Sequence, residues 1–287
     1  MNNFDDLLTN NQLLPEEYSA MKKAEREDIF SLSDQTAVDV VSDSHMFQPF
    51  LDLQARIDRY SAVNTLLVFA QDNDASRLGS FDYWKKLNCP IASGETAISI
   101  IEPHAYTKED GTQGTGYNVK KVFDISQVDT QKLAKSPTPS YSDRQLLGAL
   151  VARAPMKITG VDELPDDLGA MTNPETGEIS VLKGMDFPDT FRIVAQELAS
   201  ADLSKNAIPQ AEPVFSAYCA SYLLCKKYGV DTKDFSFTDA PKVFEGMDAQ
   251  EIKGELSQIR DTAEKISSRM SQQLEQQAKA AKAPDAR

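Results

Sequence analysis

The sequence predicts an α+β chain: a small α+β unit, then a mainly helical unit carrying a short hairpin. Three observations predict it. Residues 46–69 place Phe50, Leu53, Ile57 and Tyr60 at helical spacing. The period then falls to two in "TAISIIEP", as a strand requires. The segment "LAKSPTPSYSD", with Pro137 and Pro139, resists both helix and strand and separates a second unit in which a hairpin precedes two helices.

Taken in order, residues 1–45 alternate acidic and apolar patches and are expected to form a partly disordered leader with a short helix at most. The first unit spans 46–135 and opens with one long amphipathic helix. A helical turn at Trp84 follows, then a loop punctuated by Pro90 and Gly94 and the strand "TAISIIEP". The turn "EDGTQGTG" feeds a second strand from Tyr117 to Ile125. After a linker at 136–142, the second unit spans 143–270. It begins with a helix at Asp143 to Ala152 and continues into the hairpin "GAMTNPETGEISVLKG". Helices at about Asp189 to Leu203 and Glu212 to Tyr228 come next. A last helix with Ile252, Leu256, Ile259, Ala263 and Ile266 on one face fades into a polar tail at 271–287.

The bulk properties narrow the function. The chain has 287 residues, 41% hydrophobic and 26% charged, as in ordinary globular proteins. Its formal net charge of −14 opposes indiscriminate attraction to nucleic acid or anionic membrane, so only a local basic surface could bind DNA. No apolar run approaches the ~20 residues that span a bilayer. A cytoplasmic protein without a membrane partner is expected. Cys89, Cys219 and Cys225 are too few and too scattered for a disulfide framework and read as buried structural thiols.

The stretch "RIVAQELASADL" has the layout of a zinc-peptidase helix without its histidines. Such a helix carries two histidines four apart, aimed at one metal, with a glutamate beside the first as general base. Here Gln196, Glu197 and Ser200 hold those places. With its flanking hairpin and following helix, the segment resembles the metallopeptidase-like domain of ArdC-type antirestriction proteins of conjugative plasmids and integrative elements. In that family the helix reads His-Glu-x-x-His, and a glutamate on the next helix completes the site; the alignment puts Tyr218 there. All three ligand positions are thus substituted, and only Glu197 persists. Amide and hydroxyl oxygens are poor zinc ligands, so neither zinc nor peptidase activity is expected: a zincin-like pseudoenzyme whose Gln196, Ser200 and Tyr218 form a polar plug. Ligands from His45 or His104 have no support in the sequence.

The resemblance extends upstream. Tyr60-Ser61, Asn64, Gln71, Trp84, Leu87, Gly94-Glu95 and Phe123-Asp124-Ile125-Ser126-Gln127 match the family's single-stranded DNA-binding domain. Tyr60, Phe81, Tyr83 and Trp84 offer faces for base stacking, while Arg56, Arg59, Arg77, Lys85 and Lys86 could meet phosphates, with Asn64 also assigned to the site. Trp84 and Phe81 equally suit core anchors, and Lys85-Lys86 a solvated face. The uncharged "NCPIAS", where the family carries basic residues, predicts fewer phosphate contacts. The resemblance implies an antirestriction function for a mobile genetic element, with single-stranded DNA as partner and the second unit as scaffold or protein-interaction surface. The alternatives are an interaction module with DNA binding also lost, a metallopeptidase with unusual ligands, and a DNA mimic; the last is disfavoured by the dispersal of acidic residues along the chain.

Overall fold

A computed structural model describes residues 15–108, 110–131, 133, 140–165, 168–173, 175–204 and 213–282. The order is α1 (Pro15–Ser42), α2 (Ser44–Arg56), α3 (Ala62–Gln71), β1 (Leu78–Gly79), α4 (Phe81–Lys86), β2 (Ile98–Thr107) and β3 (Gln113–Asp124), closed by a 3-10 turn at Ile125–Gln127. The second half comprises α5 (Asp143–Val151), β4 (Ile158–Val161), β5 (Ala170–Asn173), β6 (Glu178–Leu182), α6 (Phe187–Leu203), α7 (Pro213–Tyr228), α8 (Ala240–Val243) and α9 (Ala249–Lys282). This is the mixed α+β class that the sequence predicts.

Three elements depart from expectation. Residues 15–42 form one 28-residue helix rather than a loose leader. Its inward face is Ile29, Ser33, Thr36, Ala37 and Val40. The two hydroxyls interrupt the apolar pattern, but each bonds back to its own helix, Ser33 to the Phe30 carbonyl at 2.8 Å and Thr36 to that of Leu32 at 2.7 Å. They are therefore buried without an unmet partner. The long helix expected at 46–69 is two, because Ser61 caps a new start by accepting from the Asn64 N–H. At the other end α9 continues to Lys282, with buried Leu274 extending its apolar stripe past Met270 into the segment expected to be a polar tail.

Strands β1, β3 and β2 form one sheet in that order, and β4, β6 and β5 another. The hairpin β2–β3 pairs from Ile98 opposite Val122 out to Thr107 opposite Gln113. In the second sheet β5 and β6 make the predicted hairpin, whose turn is set by Asn173 Oδ1 accepting the Glu175 and Thr176 N–H groups. Parallel β4 joins the far side of β6. The main apolar cluster runs through Phe47, Phe50 and Leu66 of α2 and α3 to Leu198 and Tyr222 of α6 and α7, and on to Leu256 of α9. A smaller one, including Leu53, Val68, Ile100 and Val122, seats β2–β3 on α2 and α3. The Tyr222 hydroxyl also donates to Asp52 at 2.6 Å. The two halves thus share an interior, while Ser136 to Pro139 of the expected linker lie outside the described residues.

Candidate functional site

The amino-terminal sheet is held by side-chain amides. Asn64 donates to the Ile101 carbonyl and accepts its N–H, both at 2.9 Å, and Gln71 treats Ser99 the same way at 2.9 Å in each direction. These amides fill the edge of β2 that β3 leaves unpaired, docking α3 onto it. Asp124, 1% exposed, is a second hub. Its carboxylate accepts the N–H groups of Ser76 (2.7 Å), Arg77 (2.8 Å) and Ser126 (2.8 Å). Burial alone would raise its pKa, but these donors outweigh burial and hold the carboxyl below its ordinary value. Gln127 extends the hub, accepting the Asp124 N–H and donating to Glu95 at 2.9 Å each. The Phe-Asp-Ile-Ser-Gln pattern and the Gly-Glu pair therefore build the fold.

The predicted DNA-contact residues divide accordingly. Trp84 is 0% exposed and its indole N–H donates to the Phe123 carbonyl at 2.9 Å, so it is a core anchor and offers no face to a base. Asn64 is committed to β2. Arg56 reaches the carbonyls of Ala75 (3.1 Å) and Asn73 (2.6 Å) and fastens that loop. Arg59 is exposed. What the fold does bring together lies on and beside α4. Phe81 is 58% and Tyr83 37% exposed, with Lys85 and Lys86 exposed on the same short helix. Arg77 donates to the Tyr83 hydroxyl at 2.6 Å and lies 5.6 Å from the Trp84 ring centre. On one side Phe81 and Lys85 border a shallow depression of about 420 Å3, floored by Cys89 and Ile91. On the other, Tyr60 and Tyr83 line a groove of about 380 Å3 with Ser80, Ile100, Glu102 and Lys120. Burial, with Tyr83 nearby, raises the Tyr60 phenol, which keeps it neutral. Lys120, bonded to Glu102 at 2.5 Å, is a half-spent cation that sequence reading did not single out.

The helix in question is α6, started by Asp186, whose side chain accepts the Asp189 N–H. Packing aims Leu198 and Ala199 into the core and leaves Gln196, Glu197 and Ser200 partly exposed. Glu197 accepts a hydrogen bond from Thr172 of β5. Tyr218, on the neighbouring α7, accepts the Ser236 N–H at 2.8 Å and packs 4.8 Å from the Phe235 ring. Burial raises its pKa, with the Ser236 donor opposing. Among the described residues, no hydrogen bond joins Gln196, Ser200 and Tyr218. The expected plug of Gln196, Ser200 and Tyr218 is thus not formed: Tyr218 is taken by the loop after α7, and beside it Glu197 is tied to β5. Burial pushes the Cys225 thiol up to about 12 and Cys219 well above its ordinary value, as inert structural thiols require.

No protein-family model and no curated protein matches this chain. Solved structures do. The metal-free crystal structure of the antirestriction ArdC protein from plasmid R388 superposes with a TM-score of 0.60 at 14% identity, covering 84% of this chain and 98% of that one. The Mn(II)-bound structure of the same protein gives 0.56 at 11% identity, covering 85% and 98%. At these identities the match shows a shared fold across both halves of the molecule.

Proposed function

We propose, from the fold shared with the R388 antirestriction protein, that this chain is an antirestriction-type protein that binds single-stranded DNA through the surface around α4, with a second unit that no longer works as a metallopeptidase. The observation that carries the first part is Phe81, Tyr83, Lys85, Lys86 and Arg77 gathered in solvent on a molecule of net charge −14. Ring faces and cations together are what a single strand needs, since bases stack and phosphates pair. Shielding DNA that enters a cell on a mobile element from restriction follows as the biological role, in the cytoplasm.

The second part rests on donor chemistry. A divalent ion at α6 would have to be held by Gln196, Ser200 and Tyr218 around one carboxylate, and that carboxylate already receives Thr172. Among the described residues no three His, Cys, Asp or Glu side chains converge anywhere. The residues do not fit a zinc or manganese ion. The unit then serves as a scaffold whose shared core steadies the DNA-binding half, or as a surface for a protein partner.

The test is fluorescence anisotropy of a labelled single-stranded oligonucleotide at low and moderate salt, with duplex competitor. Tyr83→Leu/Lys85→Ala/Lys86→Ala is the appropriate variant, since it alters exposed groups and leaves Trp84 in the core. Binding that prefers the single strand and weakens in the variant supports the reading. Absence of binding by the parent at low salt overturns it, leaving a protein-interaction module.

A further inference from the structure

The outer half of the β2–β3 hairpin carries two aromatic rings laid over cross-strand glycines. Tyr106 is 46% exposed and His104 is also exposed. Opposite them in register stand Gly114 and Gly116. A Cβ added to Gly116 would lie 2.7 Å from Cε1 and Nε2 of His104, and one added to Gly114 would lie 2.7 Å from Cζ of Tyr106. The rings therefore occupy the space of the missing side chains, backed by β3 and open to solvent on the other side. Their centres are 6.4 Å apart.

Beside these rings lies a cleft of about 390 Å3, bordered by Arg26, Phe30, His104, Tyr106, Tyr117 and Asn118. Its other wall comes from α1, with Phe30 packed edge-on against Tyr117 at 5.8 Å; Tyr117 stands opposite Pro103 and projects from the sheet face away from His104 and Tyr106, so the cleft wraps the edge of β3 at Gly116. Of the basic residues nearby, Lys22 and Lys121 are both engaged by Glu25, at 2.7 and 3.3 Å. Arg26 has no hydrogen bond or ion pair to any described residue, and it borders the cleft. The rings of His104 and Tyr106 continue the sheet face on which Ile100 and Glu102 line the groove beside Tyr83, because alternate residues of a strand share a face.

We propose that this cleft is a nucleotide subsite on the path of the single strand. A base stacks on His104 and Tyr106, the Asn118 amide meets its edge, and Arg26 takes the adjoining phosphate. The volume is in the range of about 300 Å3 and upward that small-molecule sites occupy, and pre-placed rings bind without the ordering cost of free side chains. The subsite rests on the single-strand reading above, but uses residues from α1 and the hairpin tip that are separate from α4.

The test uses the full chain and an oligothymidine containing 5-iododeoxyuridine. Irradiation of the complex should cross-link the peptide containing His104 or Tyr106. His104→Leu/Tyr106→Leu, which keeps apolar bulk but removes the stacking faces, should weaken binding on the order of tenfold. Arg26→Gln should flatten the salt dependence of log K by about 0.7. Thermal unfolding of each variant should match the parent. A parent that binds the strand while these variants bind equally well, with cross-links confined elsewhere, overturns the subsite alone. A parent that binds no DNA overturns the underlying reading as well.

Discussion

Substituting Asp124→Asn separates what the Phe-Asp-Ile-Ser-Gln motif does from what a ligand site would do. In the parent, Oδ1 accepts from Ser76 and Arg77 and Oδ2 accepts from Ser126. An asparagine oxygen can keep the first two, without charge. Its NH2 then meets the Ser126 N–H, donor against donor. One charge-assisted bond of about 1.5–3 kcal/mol is lost, and two others each weaken by about 1 kcal/mol, giving a total of about 3.5–5 kcal/mol. That is a large share of the ~5–15 kcal/mol that holds a domain folded. Urea unfolding followed by the single, buried Trp84 reports it directly. The sign with pH is fixed. Because the folded carboxyl titrates below its ordinary value, the stability it contributes is present above the unfolded pKa near ~3.9 and is lost as pH falls through the folded value. The gap between parent and variant should therefore be constant from pH 7 to 5 and shrink below about 3.9. A gap under about 1 kcal/mol at pH 7, or one unchanged down to pH 3, would refute the hub.

Three further outcomes follow from buried groups and from α6. Trp84→Ala should cost about 3–5 kcal/mol, read by circular dichroism in urea, since it leaves a cavity and strands the Phe123 carbonyl; unchanged stability with lost DNA binding would return Trp84 to the binding surface. Burial raises the Glu255 carboxyl, with the Ser216 hydroxyl opposing, so stability linked to it is full below the unfolded pKa of ~4.3 and is lost as pH rises through the folded value. Glu255→Gln should accordingly be more stable than the parent at pH 7 and converge with it near pH 4, and denaturant midpoints at both pH values decide. Calorimetric titration with Zn(II) and Mn(II) should show no stoichiometric site in the parent and a new one in Gln196→His/Ser200→His/Tyr218→Glu; one zinc per parent chain, lost in Glu197→Gln, would reverse the pseudoenzyme reading.

Much of the fold was legible because it is written in short range. The Asn-Pro-Glu-Thr-Gly turn and the alternation of β2 each declare themselves within a few residues. The helix α1 did not, because Ser33 and Thr36 break its apolar face and are rescued only by bonds to their own backbone. Strand β4 is four residues whose partner, β6, lies beyond an intervening strand. The site was harder still. Residues kept to satisfy backbone, such as Asn64, Gln71 and Asp124, look in a sequence like residues kept for a ligand, and only burial and hydrogen-bond partners tell them apart. The cleft at Arg26, His104 and Tyr106 comes from strand register and the docking of α1, neither of which has a local signature.

The distribution of charge makes one further demand on the mechanism. With a net −14, the overall field repels a polyanion, so affinity has to come from ring faces more than from counterion release. At the α4 surface and the cleft beside α1, the cations with no carboxylate partner among the described residues are Arg26, Arg77, Lys85 and Lys86. If each neutralises one phosphate, log K for a single strand should fall against log salt with a slope of about −2.8. Binding measured between 50 and 300 mM salt tests this. A slope near zero would mean that stacking acts without these cations, and one twice as steep would require a basic surface other than the one described. Aromatic-led binding also predicts that poly-purine strands, which stack better, outcompete pyrimidine strands more clearly as salt rises, since the phosphate contribution is then screened and the ring contribution is not.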